Sequence, residues 1–165
     1  MVILYNVISS DGFIARKDGS EDFIPDNLWP NFLSLCKEYS VLIMGRKTYD
    51  AIQSYDKKLV DSFEALPIRK IVISSNRSFN PKIEYIVAYS PEDAIASASN
   101  ALVSSGPTLN NYLLKHNLVK KVILYEVAVS IGDGIKPFDN DHVILTPIDN
   151  SSRIEGVTVR EYRVE

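Results

Sequence analysis

The chain has 165 residues, of which 45% are hydrophobic and 24% charged, with a net charge of −3 at pH 7. That length predicts one domain over residues 1–165 with a real core, and the composition excludes wholesale disorder. Mild acidity spread without blocks argues against nucleic acid or an anionic membrane as partner, so any cationic site must be local.

Val2 to Ile8 is an apolar run stopped by Ser9-Ser10-Asp11-Gly12, which predicts a buried strand and a turn. It begins without a basic leader, and no apolar run nears about 18 residues, so a cytoplasmic protein is expected. The polar stretch Arg16 to Asp22, with Gly19 free to take a positive φ, predicts a mobile loop. Leu28, Phe32, Leu35, Cys36 and Tyr39 then fall at helical spacing, giving a helix from about 27 to 39, with Asp26 or Asn27 as its cap. Cys36 is the one cysteine. It excludes an internal disulfide and a multi-thiolate metal site, and reads as a buried, inert thiol. No metal is expected. Trp29 and Phe32 read as core.

Val41 to Met44 is a second strand, from which Gly45-Arg46-Lys47-Thr48 leads into a helix to about Tyr55. Lys70 to Ile73 and Ile83 to Ala88 are further strands. Ser90-Pro91-Glu92-Asp93 is a helix start with a hydroxyl cap and proline at the first position. Ala101 to Val103 is a fifth strand, turned by Ser104 to Thr108 into a helix that ends at Asn117. Val122 to Ile131 reads as a long central strand, followed by a hairpin turn at Gly132-Asp133-Gly134. His142 to Thr146 and Val157 to Val164 read as antiparallel closing strands, the last with a bulge near Arg160 and Glu161. Strands alternating with helices, then strands alone, predict an α/β fold: a mostly parallel sheet with antiparallel C-terminal strands.

In such a sheet, ligands bind where strands end and helices begin. Gly45-Arg46-Lys47-Thr48 offers close backbone approach, free amides, two cations and a hydroxyl, which suits phosphate. Ser74-Ser75-Asn76-Arg77 adds hydroxyls, an amide and a guanidinium at the next strand end, and Ser104 to Thr108 supplies a third such turn. Each motif alone is an ordinary turn. Three at one edge fit a dinucleotide. The glycine pattern of a Rossmann site and that of a P-loop are both missing, as is a nucleophile elbow. His116 and His142 stand apart, outside any metal-ligand spacing. His116 suits the C-terminal end of a helix.

Ile43-Met44-Gly45-Arg46-Lys47-Thr48-Tyr49 resembles the cofactor-binding strand-to-helix segment of dihydrofolate reductases, and Ile71 to Asn76 resembles their next strand with its phosphate-site serines. Ser9 to Ala15, Ser105-Gly106-Pro107-Thr108-Leu109, and Ile131 to Phe138 are similar to the reductase domain of the riboflavin-biosynthesis deaminase-reductase. The resemblance covers nearly the whole chain in order. It implies a dihydrofolate-reductase-like three-layer sandwich and an NADPH-dependent reductase acting on a small heterocyclic or pyrimidine–ribosyl substrate. The riboflavin-type substrate would be 5-amino-6-(5-phosphoribosylamino)uracil; a dihydrofolate or pterin reductase and a non-catalytic NADP-binding module are the alternatives.

By the same resemblance Gly45, Arg46, Lys47 and Thr48 would hold the cofactor phosphates. Ser74, Ser75, Asn76 and Arg77 would hold the adenosine 2′-phosphate, and Ser105, Gly106, Pro107, Thr108 and Leu109 would line the nicotinamide and pyrophosphate side. The loop from Ile14 to Asp22 would close over the reacting groups. Asp26, or second Asp22, would promote substrate protonation, with an ordered water as the other source. A homodimer is implied. Two departures stand out. Ser105 occupies the place of a family glycine, and the stretch from Asp56 to Arg69 lacks the Asp-x-Pro-x-Leu-x-x-Arg-like segment of the riboflavin reductases.

Overall fold

A computed structural model describes residues 1–141 and 143–165. The elements run β1 (Val2–Ile8), α1 (Leu28–Tyr39), β2 (Val41–Gly45), α2 (Arg46–Gln53), α3 (Lys57–Glu64), β3 (Arg69–Ile73) and β4 (Tyr85–Ala88). There follow α4 (Pro91–Ala96), β5 (Ala101–Ser104), α5 (Pro107–Lys115), β6 (Lys121–Glu126), β7 (Leu145–Ile154) and β8 (Val157–Val164). The parallel strands come first and the antiparallel pair closes the chain, as the order of sequence patterns predicts. By their internal contacts the residues form two compact units: Met1–Val2 with Leu28–Ser104, and Ile3–Asn27 with Ser105–Glu165.

In the first unit the strand order is β4-β3-β2-β5, all parallel. Leu42, Ile43, Met44, Ile71, Val72, Leu102 and Val103 are fully buried, which is why these short strands read as unbroken apolar runs rather than alternating ones. Helix α1 turns Leu28, Phe32, Leu35 and Cys36 inward, and burial pushes the Cys36 thiol up to about 12. Trp29 is half-buried among Phe32, Tyr55 and Phe63 and donates its indole N–H to Ser62 at 2.9 Å. Ser90 accepts from the Asp93 amide at 3.1 Å, capping α4 as expected.

Three readings change here. Helix α3 was not expected, because Val60 and Phe63 are its only buried residues and charges fill much of the rest. A lysine from β3 meets its end: buried Lys70 donates to the carbonyl of Glu64, the last helical residue, at 3.2 Å and to that of Leu66, just beyond it, at 2.9 Å. Strand β4 starts at Tyr85 rather than Ile83, which is 97% exposed. Helix α2 ends at Gln53, two residues short of Tyr55.

In the second unit the order is β1-β6-β8-β7. β1 and β6 pair in parallel from Ile3 with Lys121 to Ile8 with Glu126, and β8 runs antiparallel to both β6 and β7. β6 is flanked on both sides, yet it stops at Glu126, not Ile131. Its partner β1 ends at Ile8; beyond that, Val127 still donates to Ile8, and the Val129 carbonyl accepts from Ser10 instead. Asn117, at φ 56°, ends α5 in the left-handed conformation.

Gly132 to Gly134 is not a hairpin turn. It is followed by a short antiparallel bridge between Ile135 and Ala15, and a Cβ on Gly134 would run into the Ala15 carbonyl. The irregularity expected in β8 lies opposite it. Ile148 pairs with Glu161 and Ser152 with Val159, four steps of β7 against two of β8, while β8 stays in register with β6. The strand expected from His142 has its first residue outside the described residues; β7 begins at Leu145.

Candidate cofactor-binding edge

Parallel strands in register end at a common edge. Gly45 stands beside Ile73, Ile73 beside Ala88, and Ile43 beside Val103, so β4, β3, β2 and β5 all release the chain on one side of the first unit. β2 releases it into Gly45-Arg46-Lys47-Thr48 and β3 into Ser74-Ser75-Asn76-Arg77. β5 stops at Ser104, the first residue of the third predicted turn. The first two motifs are thereby brought together.

Gly45 sits at the N-cap of α2 and, as a glycine, has no side chain with which to cap the helix. The Arg46 Nε bonds both Asp50 oxygens at 3.1 and 3.2 Å, and its guanidinium lies 4.1 Å over the Phe79 ring. Lys47 is exposed and Thr48 half-buried. Ser74 is buried and accepts from the Asn76 amide at 3.3 Å; the Asn76 side chain accepts from the Ser78 amide at 2.9 Å. These bonds shape the turn and leave Ser75 and Arg77 exposed. The Arg77 guanidinium lies 4.0 Å over the Tyr89 ring.

Ser105 to Leu109, Asp22 and Asp26 belong to the second unit. Gly106 is the N-cap of α5, again without a side-chain cap, and Pro107 opens the helix. The Ser105 carbonyl accepts from two buried amides, Asn6 Nδ2 at 2.9 Å and Asn110 Nδ2 at 3.0 Å. Asn110, fully buried, also donates to Asn6 Oδ1 at 3.0 Å and to the Pro137 carbonyl at 2.8 Å. Asp22 pairs with Arg16 at 2.5 Å, and that bond holds its carboxyl below the usual carboxylate value. Asp26 is exposed just ahead of α1.

The sequence reading missed Asn6, Asn110 and Asp11. Asn6 is the one strongly polar side chain inside an apolar strand, and Asn110 shares the inward face of α5 with Leu109, Leu113 and Leu114; both were visible as polar residues out of place. Asp11 accepts from Ser9 at 2.6 Å, Ser130 at 2.9 Å, and the amides of Ile131 and Gly132 at 3.2 and 2.7 Å. The Ser9 hydroxyl first, and then these partners, hold its carboxyl well below the ordinary range. Its distant partners leave no trace in the local sequence. Among the described residues, none of the His, Cys, Asp and Glu side chains form a group of three or more able to hold a metal, and no helix is long and apolar enough to cross a membrane.

No family model matches the chain. It is 24% identical over 154 residues to the uncharacterised protein YwjB of Bacillus subtilis (strain 168), covering 82% of this chain and 81% of that one. Among solved structures, a candidate riboflavin biosynthesis protein from Shewanella sp. PV-4 matches with a TM-score of 0.77 at 22% identity, over 99% of this chain and 98% of that chain. A diaminohydroxyphosphoribosylaminopyrimidine deaminase/5-amino-6-(5-phosphoribosylamino)uracil reductase from Thermotoga maritima matches with a TM-score of 0.72 at 17% identity. The fold is that of the riboflavin-biosynthesis reductases. Parallel strands first and an antiparallel pair last give the mixed α/β order that the motifs imply. The RibD protein of Acinetobacter baumannii shares this riboflavin-reductase fold, with a TM-score of 0.76 at 15% identity. This chain spans 56% of the Thermotoga protein and 57% of the Acinetobacter one.

Proposed function

We propose that the chain is an NADPH-dependent reductase that delivers a hydride to a small heterocyclic or pyrimidine–ribosyl substrate, working in the cytoplasm as a homodimer. The observation that carries this reading is the common edge at which β3, β2 and β5 end, with Arg46, Lys47, Ser75 and Arg77 displayed on two of its turns.

Gly106 tests whether a dinucleotide fits. Its φ of −88° is open to any residue, and a Cβ there would meet nothing within 4 Å. Serine at that position would cap α5 as Ser90 caps α4, worth a few tenths of a kcal/mol, roughly, over glycine. The protein's own packing has no need of glycine at 106. A phosphate resting on the first amides of the helix does, because a side chain would hold it away.

Bound NADPH supplies the hydride. Gly45, Arg46, Lys47 and Thr48 bind its phosphates through amides, charge and a hydroxyl. Ser74, Ser75, Asn76 and Arg77 take the 2′-phosphate, and Ser105 to Leu109 take the nicotinamide and pyrophosphate side. The loop from Ile14 to Asp22 excludes water. Of the two acids, Asp22 is committed to Arg16, which favours its anion and opposes proton donation. We therefore assign the proton to Asp26 or to a water it orders. The 5-amino-6-(5-phosphoribosylamino)uracil reaction leads among the substrates, and dihydrofolate is its competitor.

Titration of NADPH fluorescence, followed by NADPH oxidation assays with each substrate, tests the proposal. Saturable binding and turnover on one heterocycle are expected. No binding up to about 1 mM, the top of the usual KM range, refutes it. Binding without turnover on any heterocycle identifies a non-catalytic NADP-binding module, a reading that the engaged Asp22 favours.

A further inference from the structure

Both guanidiniums of the candidate edge lie on aromatic rings. Arg46 leaves the end of β2 and covers Phe79, which follows the β3 turn; Arg77 leaves that turn and covers Tyr89, the residue after β4. Each pair joins the ends of neighbouring strands, and the Ser74-Ser75-Asn76 turn lies between the two arginines in the chain.

Core packing explains neither ring fully. Tyr89 is 36% exposed and Phe79 half-buried. Phe79 is braced edge-on by Tyr49 at 5.4 Å and 81°, and Tyr49 by Tyr85 at 4.8 Å and 88°, so this platform is anchored on buried rings. A guanidinium attracts a ring through its face and donates hydrogen bonds through its edge. The ring therefore fixes where the guanidinium sits while its N–H groups remain able to meet an anion. The Asp50 contact uses Nε of Arg46, so the terminal nitrogens are not spent in that pair. An arginine held in this way loses less side-chain freedom when a phosphate arrives.

We propose that Phe79 and Tyr89 are positioning residues that hold Arg46 and Arg77 ready at this edge, and that the Tyr89–Arg77 pair makes the edge selective for an adenosine carrying a 2′-phosphate. The inference rests on the reductase reading above.

Calorimetric titration with adenosine 2′,5′-bisphosphate and with adenosine 5′-monophosphate tests it without the nicotinamide half. Wild type should prefer the bisphosphate. Tyr89→Leu should weaken bisphosphate binding about two- to fivefold, the worth of an exposed cation–π contact, and leave the monophosphate unchanged. Tyr89→Phe, which keeps the ring, should retain the wild-type preference. Phe79→Leu should weaken both nucleotides alike, because Arg46 faces the phosphate they share. A Tyr89→Leu protein that folds normally and keeps the full bisphosphate preference overturns the positioning role while the reductase reading stands. Wild type that binds neither nucleotide overturns both.

Discussion

Asn110→Ala tests the buried amide network beneath the third turn. Asn110 is fully buried and its Nδ2 serves Asn6 Oδ1, the Ser105 carbonyl and the Pro137 carbonyl at 3.0, 3.0 and 2.8 Å. Ser105 keeps Asn6 Nδ2 as a donor after the substitution. Asn6 Oδ1 and the Pro137 carbonyl lose this donor, at roughly 1–3 kcal/mol for each buried acceptor left unsatisfied. Part of that is offset, because Asn110 Oδ1 has no partner in the native fold and leaves with the side chain. The net loss is about 2–4 kcal/mol, which for a chain of this size lowers Tm by about 5–15 °C. Urea denaturation followed by circular dichroism reads it directly. A loss below about 1 kcal/mol would show that the network relaxes around the gap, and the reasoning about unsatisfied acceptors would fail.

Arg46→Ala should weaken NADPH by about 1–3 kcal/mol through loss of a charge-assisted contact; equal affinity in a fluorescence titration removes Arg46 from the site. Cys36 should resist a thiol reagent at pH 8 in the folded protein and react at once in urea, since burial keeps its thiol protonated; fast native labelling contradicts this. Burial lowers the Lys70 ammonium from its ordinary 10.5, so the unfolded chain binds more protons between the two values. Lys70 therefore contributes stability that rises with pH through that window. Comparing urea midpoints of wild type and Lys70→Met at neutral pH and near pH 10 should show a flatter rise in the variant, and parallel profiles would refute the assignment.

The elements that the sequence revealed are those whose cause is local. Apolar runs flanked by turns gave the parallel strands, and Ser90-Pro91 announced α4 because its cap is made within four residues. Gly45 and Ser74 were legible as strand ends because each closes such a run. Other features were hidden because their causes lie far along the chain. β6 stops at Glu126 since its partner stops at Ile8, which no window around residue 126 reveals. Asp11 is fixed by residues about 120 positions away. Of the two acids proposed from the sequence, Asp22 was visible as a charge, but its engagement with Arg16, six positions back, depends on the turn between them.

The interrupted register of β7 has a consequence for self-association. β7 closes its end of the strand order, so its outward backbone groups could template another chain. Pro147 lacks an amide hydrogen, and the two-residue slippage after Ile148 breaks the spacing a newcomer would need to match. Two copies meeting there could not zip together along a continuous ladder. Self-association at this edge would have to rest on side-chain contacts, which point substitutions along β7 should abolish.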